Sequence, residues 1–167
     1  AVPEVLGRGK NGKIIVTLDT EKLPKFGITR TSVYLSRYPG DKVGSDNEIP
    51  VSAVLLPDFS GLTEQQKNNP PQISLSTTQL EFPPLKPNQK KSQNVIITNT
   101  GKNDLVIQDM QVFNIALAVN LKKTVLKPGE SAKLKITVLG DNLSRVKGTP
   151  RVLMITNDPK KPSVTIR

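Results

Sequence analysis

Apolar and polar residues alternate with period two along much of this chain. In Lys133-Leu134-Lys135-Ile136-Thr137-Val138, the apolar Leu134, Ile136 and Val138 face one way and Lys133, Lys135 and Thr137 the other. That is the pattern of a half-buried β-strand. Leu105-Val106-Ile107-Gln108-Asp109-Met110 begins as a continuous apolar run and then alternates, and Val95-Ile96-Ile97-Thr98 is short and β-branched. Residues 73–76, 80–82, 115–119, 151–156 and 163–166 read as further strands. Turn residues separate most of them: Pro83-Pro84, Thr100-Gly101, Pro128-Gly129, Gly140-Asp141-Asn142, Gly148 and Asn157-Asp158-Pro159. Short strands with regular turns predict an all-β antiparallel sandwich. Residues 99–103 read as the connection of a hairpin, with Gly101 supplying a permissive backbone.

The pattern also repeats. At an offset of 120, Val5-Leu6 meets Val125-Leu126, Gly9 meets Gly129, Lys13 meets Lys133, Val16 meets Ile136 and Leu23 meets Leu143. A one-residue gap then brings Gly27 over Gly148, Arg30 over Arg151 and Val33 over Met154. Internal repeats govern the whole fold when present. The second copy is preceded by strand-like sequence from Gln72 to Val119, and the first copy is not. The expectation is therefore the C-terminal half of one sandwich over residues 1–57 and a nearly complete one over 72–167. Between them, residues 58–71 read as a linker. There Thr63-x-x-Gln66 is a capping-box signal for one helical turn, and Asn68-Asn69-Pro70-Pro71 ends it. Where the second copy has outward Lys135, the first has Ile15. Ile15 and Thr17 then mark a candidate packing or partner face. Residues 1–57 are expected to pack on 72–167 or to pair with another chain.

Charge is uneven. The formal charge is +10, and residues 72–167 carry +9 of it, fifteen Lys and Arg against six Asp and Glu. Residues 1–57 carry +2 and residues 58–71 carry −1. Lys122, Lys123, Lys127, Lys133 and Lys135, with Lys90-Lys91 and Lys160-Lys161, form the candidate surface for an anionic partner. A solvated basic surface is the simpler reading. No nucleic-acid motif accompanies the lysines, and four Phe, two Tyr and no Trp supply few rings for base stacking. No nucleic acid is expected.

Catalytic and metal chemistry find little support. Cys and His are absent, which excludes disulfides, thiolate or imidazole metal sites and a Ser-His-Asp triad. Asp41, Asp46 and Glu48 fall close in sequence, but Lys42 intrudes and the spacing matches no standard calcium loop. Glu130 and Asp158 sit in separate turns, with nothing pairing them for acid–base work. No cofactor and no enzyme activity are expected. No apolar run reaches the eighteen residues of a membrane span, and Ala1-Val2-Pro3-Glu4 lacks the basic start and apolar core of a signal peptide.

The order of motifs in residues 73–167 resembles a bacterial Ig-like domain family of unknown function, related to the ASH and major-sperm-protein-like β-sandwiches. Its members show an Asn-Thr-Gly turn followed by Leu-Val-Ile, then a Pro-Gly-Glu turn and a Thr-Asn-Asp-Pro turn. Here these are Asn99-Thr100-Gly101 with Leu105-Val106-Ile107, Pro128-Gly129-Glu130, and Thr156-Asn157-Asp158-Pro159. Many relatives carry a Cys-Gly-Cys-Thr segment where this chain has Asn114-Ile115-Ala116-Leu117, so no cysteine role carries over. The resemblance implies a periplasmic or extracellular sandwich, often in tandem, without catalytic activity. The leading expectation is a structural or protein-binding module of the cell envelope, with self-association or a partner strand at its sheet edges. The competing expectation is a binding module for an anionic glycan or another anionic surface ligand.

Overall fold

The computed structural model describes residues 7–23, 25–36 and 38–167. Its strands, in chain order, are β1 (Gly27–Tyr34), β2 (Glu48–Leu55), β3 (Ile73–Leu75), β4 (Lys90–Asn99), β5 (Leu105–Val112), β6 (Leu117–Leu121), β7 (Val125–Leu126), β8 (Ser131–Leu139), β9 (Val152–Thr156) and β10 (Ser163–Ile166). One short helix, α1 (Glu64–Asn68), and two 3-10 turns, Thr20–Lys22 and Gly140–Arg145, complete the regular structure of the described residues.

From β3 to β10 the chain forms two four-stranded sheets, ordered β3-β4-β8-β6 and β10-β9-β5-β7, with every pair antiparallel. The alternation of each strand decides its inner face. Val95 and Ile97 of β4 and Leu134 and Ile136 of β8 point inward from one sheet, and Leu105, Leu126, Val152, Met154 and Ile166 from the other. All are buried in one shared cluster, so the arrangement is an all-β sandwich whose stability comes from apolar area removed from water between the sheets.

The Asn99–Asn103 connection is not a hairpin. β4 and β5 lie in different sheets, so the segment arches from one layer to the other. Asn99, fully buried, organises the arch. Its side-chain Nδ2 donates to the backbone oxygens of Leu126 and Asn103, both at 2.8 Å, and its Oδ1 accepts from Gly101 N–H at 2.9 Å. Gly101 is needed for space, not for an unusual φ. A Cβ there would lie 2.4 Å from both Pro70 O and Gln72 N. Strand-like residues 80–82 form no strand, although Leu80 N–H donates to Arg167 O at 2.8 Å.

Ahead of the sandwich, β1 and β2 form an eight-residue antiparallel hairpin, from Gly27↔Leu55 to Tyr34↔Glu48. At the 121-residue offset β1 aligns with the segment that holds β9. Thr20 aligns with Gly140, and each begins a 3-10 turn. The aligned glycines Gly9 and Gly129, and Gly27 and Gly148, all have positive φ. Residues 11–19 depart from this correspondence, because they carry no regular structure where the aligned 131–139 form β8. β8 is hydrogen-bonded on one side by β4 and on the other by β6. Strands equivalent to these two are not among the described residues. α1 joins the parts. Thr63 Oγ1 accepts from Gln66 N–H and Gln66 Oε1 accepts from Thr63 N–H, a complete capping box.

Candidate functional site

Three places combine exposure with specific chemistry. The first is the outer face of the β3-β4-β8-β6 sheet. β8 turns Lys133 and Lys135 to solvent because Leu134 and Ile136 turn inward. In register, Lys135 lies between Asn94 of β4 and Asn120 of β6, and Lys133 lies beside Ile96 of β4. Lys122 is exposed directly after β6. The two remaining candidate lysines meet the Glu130 carboxylate of the Pro-Gly-Glu turn, Lys123 through its ammonium and Lys127 through its backbone amide. Lys123 Nζ pairs with Glu130 Oε1, and Lys127 N–H donates to Glu130 Oε2 at 3.0 Å. The Lys123 hydrogen bond, followed by the Lys127 amide, holds the Glu130 carboxyl below the usual glutamate range. The structure thus divides the five lysines into a sheet-face group and a turn group.

The second place is residues 14–17. Ile14, Ile15 and Val16 are 37%, 56% and 50% exposed, and Thr17 is exposed as well. At the aligned positions of β8, Leu134 is 0% and Ile136 2% exposed. The candidate face at Ile15 and Thr17 is therefore open to solvent, and the inward-type positions 14 and 16 beside it are open too.

The third place is the junction between β1 and the sandwich, which sequence reasoning missed. Gln111, on β5, applies its side-chain amide to the backbone of β1. Oε1 accepts from Ile28 N–H at 2.7 Å, and Nε2 donates to Ile28 O at 3.3 Å and Phe26 O at 3.4 Å. One glutamine thereby occupies the donor and acceptor that a neighbouring strand would use. Gly27, with φ +94°, permits the approach, since a Cβ would lie 2.5 Å from Gln111 Oε1. Nearby, the Arg151 and Arg30 guanidinium carbons lie 5.0 and 6.0 Å from the Phe113 ring centroid, within cation–π range. Only the positive φ shared by Gly27 and Gly148 leaves a trace in the sequence, as an aligned glycine pair. A glutamine on an alternating strand reads as surface.

Of the acidic candidates, Glu130, Asp158 and Glu48 accept hydrogen bonds within the fold. Asp158 is buried and accepts from Ile73 N–H at 2.9 Å, Lys160 N–H at 2.9 Å and Lys161 N–H at 3.3 Å, which ties β3 to the Asn-Asp-Pro turn. Glu48 accepts from Ser32 Oγ, and no group of three or more metal-ligating residues occurs among the described residues. A cavity of about 1,020 Å³ lies between α1 and the Asn103 and Asn157 turns. An apolar one of about 360 Å³ opens between the sheets near Phe82, Ala116, Val138 and Ile166. Among the described residues, no helix is long and apolar enough to cross a membrane.

Comparison with known proteins follows the sandwich. A solved protein of unknown function from Porphyromonas gingivalis W83 superposes with a TM-score of 0.65 at 24% identity, over 86% of this chain and 64% of that one. This chain thus spans less than two thirds of that protein. The ASH/PapD-like domain 7 of human CEP192 aligns with a TM-score of 0.38 at 14% identity, over 65% of this chain and 91% of that one. Among curated proteins, none matches. The model of the HYDIN/CFA65/VesB-like Ig-like domain matches residues 71–167, more than half of the chain, and the protein belongs to that Ig-like family.

Proposed function

We propose that this protein is a non-catalytic module of the cell envelope that works by adding a protein strand to the exposed apolar segment around Ile14 and Val16. In this reading residues 1–57 are the C-terminal half of one unit, 58–71 the linker and 72–167 the second unit. The carrying observation is the contrast between aligned positions. Ile14 and Val16 stand exposed where Leu134 and Ile136 are core. An exposed segment of apolar residues in an extended chain is suited to β-augmentation, with main-chain hydrogen bonds giving affinity and alternate side chains giving specificity. The partner is a protein strand, supplied by a second copy of this chain.

Sedimentation velocity from micromolar to submillimolar concentration tests this. The chain is expected to self-associate, and Ile14→Lys with Val16→Lys to abolish association while leaving the melting of the sandwich unchanged. A chain that stays monomeric throughout, or association untouched by the double substitution, contradicts the reading. A second reading, a module for an anionic surface ligand, is favoured by the lysine-bearing face of the β3-β4-β8-β6 sheet.

A further inference from the structure

We propose that the outer face of the β3-β4-β8-β6 sheet binds a linear acidic polysaccharide, with Lys133 and Lys135 holding its anionic groups and Asn94 and Asn120 its hydroxyls. This inference rests on the second reading above and names its ligand and site. None of the four strands contains an Asp or Glu. Lys133 and Lys135 project from the same face of β8, about 7 Å apart at strand rise. Lys122, directly after β6, is next in register to Lys133, since Leu121 pairs with Leu134. Like charges on neighbouring strands repel, and no carboxylate on these strands offsets them. Real proteins keep such uncompensated local conflicts at functional surfaces.

The neutral residues of the face select the ligand class. Ser92 with Thr137 and Thr98 with Ser131 are hydrogen-bonded to each other. No side-chain hydrogen bond among the described residues engages Asn94 or Asn120, and these two flank Lys135 on either side. The result is an amide–ammonium–amide row across three strands, offering charge together with unused donors and acceptors. A polymer with an anionic group and several hydroxyls on each unit fits that row. Nucleic acid fits less well, because the four strands hold no aromatic ring for base stacking. A membrane surface fits less well too. Ile96 is the face's exposed large apolar residue, and no aromatic is there to insert.

The test is biolayer interferometry of the full chain on a polyuronate of defined length, with neutral dextran, polyphosphate, anionic phospholipid vesicles and single-stranded DNA as comparators. Polyuronate binding is expected near physiological salt, with none to dextran. Lys133→Gln with Lys135→Gln should lower affinity about tenfold or more and reduce the slope of log affinity against log salt by about two. Asn94→Ala with Asn120→Ala should lower affinity for polyuronate several-fold and leave polyphosphate binding unchanged. All four positions are exposed, so unchanged melting temperatures certify the fold. Polyuronate binding that survives the lysine substitutions overturns the site while the second reading stands. Equal losses on polyuronate and polyphosphate from the asparagine substitutions overturn hydroxyl recognition. Tighter binding to vesicles or DNA overturns the ligand class, and no polyuronate binding at all overturns both the site and the second reading.

Discussion

Replacing Gly27 by Ala puts a Cβ 2.5 Å from Gln111 Oε1, and the consequence can be worked out from the junction geometry. The atom met is the far end of a flexible side chain, so Gln111 can swing away instead of forcing the backbones apart. In doing so it gives up its bonds to Ile28 and Phe26. One of these is short, at 2.7 Å, and two are long, at 3.3 and 3.4 Å. Their joint loss is about 1–2 kcal/mol at the net value of protein hydrogen bonds. Alanine at φ +94° adds strain of about 1–2 kcal/mol. Gly27→Ala should therefore cost about 2–4 kcal/mol at β1, and Gln111→Ala about 1–2 kcal/mol. The two share one term. In a Gln111→Ala background, Gly27→Ala should cost only the strain, leaving a coupling of about 1–2 kcal/mol in a double-mutant cycle. Native-state hydrogen exchange at the Ile28 amide is the assay, because the hairpin can open without global unfolding. Additive effects, or an Ile28 amide indifferent to Gln111→Ala, would falsify the glutamine-as-strand account.

Three further predictions follow from other joints. Gly101→Ala meets linker backbone at 2.4 Å, not a side chain. It should destabilise by about 1–3 kcal/mol, toward the upper end, in chemical denaturation; a loss under about 0.5 kcal/mol, typical of an inert surface site, contradicts the close approach. Asn99→Ala strips the buried Leu126 carbonyl of its Nδ2 donor and should cost roughly 2–4 kcal/mol, again by denaturant unfolding, with a near-neutral result opposing its role in the arch. For Glu130, the pKa in the folded state is lowered by the Lys123 hydrogen bond. Its contribution is therefore present above the unfolded glutamate pKa and lost as pH falls through the folded one. Stability curves of the native chain and Glu130→Gln should diverge at neutral pH and converge in acid; a constant gap refutes the linkage.

How far the sequence carries the reader depends on the range of the interaction. β8 was legible because period two is local. Leu134 and Ile136 are buried and Lys133 and Lys135 exposed, as the alternation requires. The Thr63 and Gln66 cap was legible because its partners lie three residues apart. The Asn99–Asn103 segment misled because a hairpin and an inter-sheet arch have the same one-dimensional pattern, strand, polar turn, strand. Only the pairing of β4 with β8 and of β5 with β9 separates them. Gln111 was invisible for a related reason, since its backbone partner lies 83 residues away. The lysines were legible as a set but not as two groups, because the Glu130 carboxylate that pairs with the Lys123 ammonium and accepts from the Lys127 amide acts through turn geometry.

The measurement closest to the central claim uses the chain's own core strand as a probe. In the sandwich, β4 pairs with β8 in the register Val95↔Leu134 and Ile97↔Ala132, and β8 aligns with the segment around Ile14 and Val16. A synthetic peptide with the sequence of Lys90–Asn99 is titrated into the isotope-labelled full chain and followed by amide NMR. Strand addition predicts shifts and new exchange protection concentrated at residues 13–17, abolished by Ile14→Lys with Val16→Lys. Spectra unchanged at residues 13–17 up to millimolar peptide, or changes equally present in the double variant, would contradict it.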